Sequence, residues 1–222
     1  RKVQLIVTTD YSSMIEAMRF GRLELGYFGP LSYTMAASKS KIEAFAGLMK
    51  KGTTTYNAVV IGNKAAGIKT MADLRGKDVA YGDQASTSSH LIPKKMLIDA
   101  VRVTGRDYRE HFVGAHDAVA VAVQNGHAQA GGLSKPIFDS LVARGIVSLD
   151  KVTVLGVSPP FPEYPWAMRQ DLDPALKDKI RAAFVNLKDP AVLKPFKADG
   201  FGAMKDADYN VVRELAAKLH LQ

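Results

Sequence analysis

Apolar positions along the chain switch repeatedly between a two-residue and a roughly 3.6-residue period, the signature of strands alternating with helices. Residues 3–9 (Val-Gln-Leu-Ile-Val-Thr-Thr) read as a strand. Asp10 then supplies an N-cap, and Met14, Ile15 and Met18 share one face of a helix that stops at Gly21. Residues 23–28 predict a short buried strand ending in Gly29-Pro30, residues 32–38 a helix, 45–49 a strand and 56–62 a long β-branched strand. A helical turn over 71–77, closed by a glycine, leads to a strand at Asp78–Tyr81. A loop over 86–100 runs into a helix that tolerates Pro93 in its first turn. Strands at 111–113, 128–131 and Val152–Val157 alternate with helices over 115–125 and 134–144. A Pro-rich extended segment (Pro159-Pro160-Phe161-Pro162), a strand at 166–168, a long amphipathic helix opened by Asp173-Pro174 and a last helix from Asp206 complete the pattern.

Short loops between alternating strands and helices predict α/β lobes on mixed, mostly parallel sheets flanked by helices. No period of 20–50 residues repeats, which excludes a solenoid. If the chain forms two lobes it crosses between them near residues 56–63 and again near 158–165.

Composition narrows the function more than the fold. The 222 residues hold no cysteine, which removes disulfide scaffolds, thiolate metal sites and a thiol nucleophile. Thirty Lys and Arg against 22 Asp and Glu leave a formal charge of +8, which suits an anionic partner. The basic residues do not cluster and lack interleaved aromatics, so the pattern speaks against nucleic acid. No apolar run approaches the length of a membrane span. The histidines have no metal-like spacing, and neither a phosphate-binding P-loop nor a G-x-S-x-G elbow occurs. No metal, no cofactor and no catalytic residue is therefore expected, and the chain is read as a non-enzyme.

Two strand-to-helix junctions carry candidate chemistry. In Gly82-Asp83-Gln84-Ala85-Ser86-Thr87-Ser88-Ser89, four successive hydroxyls coincide with the free amides and positive dipole end of a helix. That is a cradle for an oxyanion; the same residues also read as an over-supplied helix cap. Gly114-Ala115-His116-Asp117 places His116 in the first turn of the next helix, as an oxyanion donor or as a capping residue. Tyr11, after Thr9-Asp10, and Tyr56, after Gly52-Thr53-Thr54-Thr55, stand at strand ends where a phenol can reach an anion or simply pack.

With these junctions in place the whole chain resembles the periplasmic substrate-binding proteins of phosphonate/phosphite ABC transporters, which have the type II periplasmic-binding-protein fold. The matching pieces stand in the family's order: Thr9-Asp10-Tyr11, the strand into Gly29-Pro30, Tyr56, Met71-Ala72-Asp73-Leu74-Arg75-Gly76-Lys77, Ser86-Thr87-Ser88, Gly114-Ala115-His116, and Ser158-Pro159-Pro160-Phe161-Pro162 before Arg169-Gln170-Asp171-Leu172. The resemblance implies a discontinuous lobe over 1–58 and 165–222, a second lobe over 59–164, and a cleft that closes by a hinge. It implies a phosphorus oxyanion held by Ser86, Thr87 and Ser88 with His116, Tyr11 and Tyr56 completing the shell, a membrane permease as partner, and a periplasmic or lipid-anchored location. Family members begin with a further strand–helix unit, which is missing here, so the expectation is a longer protein with an exposed sheet edge in this chain.

Members that bind 2-aminoethylphosphonate hold the ammonium with two carboxylates. These align with Lys135 and Tyr164, while strand alternation turns the neighbouring Glu163 the other way. An ammonium would then be desolvated without a counter-charge, so phosphite, phosphate, methylphosphonate or another non-amino phosphonate fits better. The alternative reading is a ligand-sensing domain of a signalling system on the same fold.

Overall fold

The computed structural model describes residues 2–101 and 107–221. Its strands form two sheets joined by a ribbon. In chain order the elements are α1 (Tyr11–Arg19), β1 (Leu25–Tyr27), α2 (Pro30–Lys39), β2 (Ile42–Met49), β3 (Thr55–Tyr56), β4 (Ala58–Asn63), β5 (Asp78–Tyr81), α3 (Ile92–Val101), β6 (Arg109–Phe112), α4 (His116–Gln124), β7 (Ala130–Ser134), α5 (Lys135–Ala143), β8 (Val152–Val157), β9 (Phe161–Pro162), β10 (Pro165–Arg169), α6 (Pro174–Val185), α7 (Pro190–Leu193), β11 (Gly200–Ala203) and α8 (Asn210–Lys218). The first sheet has the order β1-β10-β2-β11, the second β6-β5-β7-β4-β8, and β3 pairs with β9 in the ribbon. The ribbon is made by the two segments read as crossings.

The sheets are mixed, but the expected parallel majority is not there. Every pair in the first sheet is antiparallel, as are β4 with β7 and β4 with β8; only β5 runs parallel to its neighbours β6 and β7. The reason is the double crossing. A chain that leaves one sheet and later returns lays its returning strand against the outgoing ones, and β10 is inserted between β1 and β2, antiparallel to both.

Both sheets are covered on two faces. Val59, Ile61 and Leu133 pack on Val123, Phe138 and Leu141 from α4 and α5, while Val60, Val79 and Tyr81 pack on Leu74 and Leu97. All six residues of β4 are buried, which is why it reads as an unbroken apolar run. In the first sheet Phe45, Met168 and Phe201 meet Ile180 and Phe184 of α6, and the other face meets Ile15, Met18 and Tyr33. A further cluster joins the halves: Leu31 of α2 and Leu215 of α8 pack on Leu91, beside the hydroxyl-rich turn.

Residues 3–9 are not a strand. They adopt no regular structure and form no ladder with any described residue, and Val3, Leu5 and Val7 are exposed. Together with the free edge of β1 they line a cavity of about 1280 Å³ that continues past Tyr27 and Asp83 to His116. Alternating apolar residues become a strand only when a neighbour satisfies their backbone groups, and β1 pairs with β10 on one edge while its other edge makes no ladder with them.

Candidate functional site: a cluster of neutral donors between the sheets

The hydroxyl-rich turn is built by β5 ending at Tyr81 and by Gly82, whose amide donates to Ser89 Oγ at 2.9 Å. Ser89 Oγ in turn donates to the Gly132 carbonyl, fixing the turn to β7. Thr87–Leu91 form a π-helical turn that runs into α3. The π turn widens the helix start, so the backbone amides of Thr87 and Ser88 precede the first helical hydrogen bond, Leu91 N to Ser86 O. All four residues Ser86–Ser89 are buried.

The four hydroxyls do not share one task. Ser86 Oγ accepts from Ser89 N at 3.1 Å and caps the turn. Thr87 Oγ1 accepts from Leu31 N of α2 at 2.7 Å and so links the two halves. Ser88 is the one whose hydroxyl faces the tyrosines: its Oγ lies 3.4 Å from Tyr164 OH. Tyr164 OH is also 3.4 Å from Nε2 of His116. Both contacts are long for hydrogen bonds, so these donors do not saturate one another.

His116 opens α4 after Gly114, whose φ of +87° makes the turn that a side chain at that position would strain. Ser134 N donates to its Nδ1 at 3.2 Å. Nδ1 is then the bare nitrogen, and the ring proton sits on Nε2, facing Tyr164. Burial lowers the His116 pKa to about 4, against a weaker upward pull from Asp117. The ring is therefore neutral at ordinary pH and offers one N–H to the cluster.

Tyr56 is buried, and its hydroxyl has no hydrogen-bond partner among the described residues. Its ring lies 5.1 Å from that of Tyr164. Tyr11 enters from the start of α1; a side chain at Gly29 would come within 3.2 Å of its hydroxyl, so the Gly29-Pro30 turn is what lets the phenol approach the backbone. Its amide donates to Asp83 Oδ2 at 3.4 Å, which sets the start of α1 beside the turn after β5. Burial pushes the pKa values of Tyr11, Tyr56 and Tyr164 up, and all three remain O–H donors.

The structure thus brings Tyr11, Tyr56, Ser88 and His116 together and places Thr87 at the junction of the halves and Ser86 in the cap. Tyr164, read as part of an outer selectivity pocket, stands at the centre. Lys135 does not join it: its ammonium is engaged by the carboxylate of Asp139, at 2.7 and 2.6 Å, one turn along α5. Tyr27 escaped the sequence reading. Its ring lies 5.8 Å from Tyr164 and 5.1 Å from Trp166, and its pKa is raised by burial and by the charge of Glu163. Its place at the end of a short strand, just before Gly29-Pro30, was the available signal.

Glu163 also differs from its reading. It lies in the bend between β9 and β10, so two-residue alternation does not apply to it. It is buried, its Oε1 accepts from Tyr164 N at 3.0 Å, and desolvation raises its pKa. The remaining chemistry is that of a buried recess of neutral O–H and N–H donors beside the larger cavity, with no cation hydrogen-bonded into it among the described residues.

A family model described as "ABC transporter, phosphonate, periplasmic substrate-binding protein" matches residues 1–209. The chain is 28% identical over 230 residues to the Phosphonates-binding periplasmic protein of Escherichia coli (strain K12), covering all of this chain and 68% of that protein. It is 26% identical over 212 residues to the Phosphate-import protein PhnD of Mycolicibacterium smegmatis, covering 90% of this chain and 65% of that protein. The chain thus spans about two thirds of the length of these relatives. The structure of PhnD1 from Prochlorococcus marinus in complex with methylphosphonate superposes with a TM-score of 0.90 at 20% identity, covering all of this chain and 87% of that one, and shows the shared type II binding-protein fold. The chain belongs to the family of periplasmic substrate-binding proteins of phosphonate ABC transporters.

Proposed function

We propose that this chain captures a small phosphorus oxyanion (phosphite, phosphate, methylphosphonate or another non-amino phosphonate) in the recess between the sheets and delivers it to a membrane permease from the periplasm. No bond is made or broken. Two lobes, 1–58 with 165–222 and 59–164, close on the ligand about the β3–β9 ribbon. The observation that carries the reading is the buried Tyr56 hydroxyl, which makes no hydrogen bond of ordinary length although Ser88 and Tyr164 stand beside it. A buried donor without an acceptor costs about 1–3 kcal/mol, and an anion bound there would remove that cost.

In this reading Ser88 Oγ, Tyr56 OH, Tyr164 OH, Tyr11 OH and His116 Nε2 donate to the oxyanion. The amides of Thr87 and Ser88, at the positive end of the turn leading into α3, add two further donors. Thr87 ties the bound state to α2 through Leu31 N. The groups around Tyr164 OH are neutral and the nearby Glu163 is buried and engaged by Tyr164 N, so an oxyanion gains more here than an ammonium does, and Lys135 is paired with Asp139 on its own helix.

Calorimetry against phosphite, phosphate, methylphosphonate, 2-aminoethylphosphonate and sulfate tests the reading. Binding of a non-amino phosphorus oxyanion ahead of 2-aminoethylphosphonate and sulfate is expected. A protein that takes none of the phosphorus ligands, or that prefers the amino compound, overturns it.

A further inference from the structure

A second cavity, of about 480 Å³, opens between the halves outside the recess. Its walls include α5 on one side and residues 195–197 on the other. Asp117 and Ile137 line both this cavity and the larger one that reaches His116, so the two adjoin at the first turn of α4. Three cations face it: Lys50 at the end of β2, Arg144 just beyond α5, and Lys197, whose φ of +50° is the left-handed conformation. None of the three side chains has an ion pair or hydrogen bond among the described residues. Most other basic residues near acids on this surface are paired, Lys135 with Asp139 and Arg213 with Asp206 among them. The floor between the cations is apolar, formed by Ile137 and Phe196. Asp117 is the one acid on this wall, so the cavity keeps a net positive charge.

We propose that this cavity is an encounter site, where the cleft mouth collects the anionic ligand before it passes His116 into the recess. This deepens the function proposed above and rests on it. The division of labour follows from the electrostatics. Cations over low-dielectric walls focus the field and raise the local concentration of an anion, accelerating capture by factors of about 10 to 1000. Neutral donors deeper in can then hold the anion by geometry. The encounter charges come from both sides of the cleft, so an anion there also relieves their mutual repulsion across the mouth.

The test is stopped-flow binding of methylphosphonate and of inorganic phosphate, followed by the fluorescence of Trp166, which stacks on Tyr27. It is run at low salt and at physiological ionic strength, where the screening length falls from about 30 Å to about 8 Å. The variant Lys50→Ala/Arg144→Ala/Lys197→Ala should associate about tenfold more slowly at low salt, with an unchanged dissociation rate and a flattened salt dependence. A second variant, Lys77→Ala/Lys151→Ala/Lys218→Ala, removes the same net charge from exposed positions that line neither cavity, and should associate nearly as fast as the wild type. If both triple variants slow equally, the effect is one of net charge, and the encounter site is overturned. If neither slows, or if the loss lies in dissociation, it is overturned as well. A wild type that binds neither ligand overturns the ligand assignment itself, which is a different result from binding that ignores the mouth.

Discussion

The recess and the cleft mouth are two positively disposed regions built on opposite principles. The recess holds no cation at its centre; its positive potential comes from O–H and N–H dipoles that are buried and aimed by the backbone. The mouth has three full charges without an ion pair or hydrogen bond among the described residues, on partly or fully exposed side chains, with the Lys50 charge reaching Glu163. Dipoles fixed in a low-dielectric setting lose nothing to reorganisation and discriminate by position. Exposed charges act over longer range and are weakened by salt. On the two proposals above, the chain separates the selection of an anion from the speed of its capture, and each expectation below breaks or sharpens that separation.

The largest effect is expected from removing recess donors. Ser88→Ala with His116→Ala deletes two of the groups around Tyr164 OH. Hydrogen bonds to a charged group contribute roughly 1.5–3 kcal/mol each, so affinity for methylphosphonate should fall at least about a hundredfold with the fold intact. His116→Gln should recover part of the loss, because an amide still donates where Nε2–H did. A double variant that binds within a few-fold of wild type by calorimetry would remove the recess from the comparison.

Thr87 comes next, because it serves the junction as well as the recess. Thr87→Ala leaves the buried amide of Leu31 without its acceptor at 2.7 Å, whereas Thr87→Ser keeps an oxygen there. Alanine should weaken binding about tenfold, through loss of roughly 1–2 kcal/mol, and serine should stay near wild type. Equal behaviour of the two variants in titration would show that the oxygen does not matter.

A smaller effect concerns pH. His116 has its folded-state pKa lowered to about 4 from an ordinary value of 6.5, and burial also lowers that of His90. The unfolded chain then binds more protons than the folded one across that window. The stability that these neutral rings contribute is complete above about pH 6.5 and is lost as pH falls towards 4. Protonation of Nδ1 also sets a proton against the Ser134 N–H that donates to it. Urea unfolding at several pH values should show the decline between pH 6.5 and 4, shallower in His116→Gln. In the same range above pH 6, His116 adds no pH dependence to affinity. A strong stabilisation of the empty protein on acidification to pH 5 would contradict the assignment of a neutral ring.

The smallest effect is expected at Lys135. Its charge is spent on Asp139 in an exposed pair one helical turn away, a contact of the kind that contributes a few tenths of a kcal/mol. Lys135→Ala should change affinity for phosphorus oxyanions less than twofold. A tenfold change would place this ammonium in the recess after all and blur the line between the two regions.

Much of this was legible in the residues because it depends on neighbours in the chain. The capping hydroxyl of Ser86, the Asp10 and Asp173 caps, the strand Asp78–Tyr81 and the turn at Gly114 are all set by φ preferences and by bonds spanning a few residues. The clustering of hydroxyls after a strand also marked the turn whose Ser88 faces the tyrosines. Sequence alone therefore determined an α/β chain and the O–H and N–H groups that its junctions present. What it could not determine is whatever depends on partners distant in sequence. Which of four adjacent hydroxyls is free was decided by Leu31 and Tyr164, 56 and 76 residues away. Strand direction was decided by the returning β10, and the unpaired state of residues 3–9 by the absence of a ladder partner beside them. Lys135 and Tyr164, read together as one outer pocket, were parted for the same reason. A lysine satisfied within its own helix has no need of the cleft, and a tyrosine in the bend after β9 is carried into it by the fold. Local bonds fix the donors a segment can offer; only the packing of remote segments decides which of those donors remain unspent.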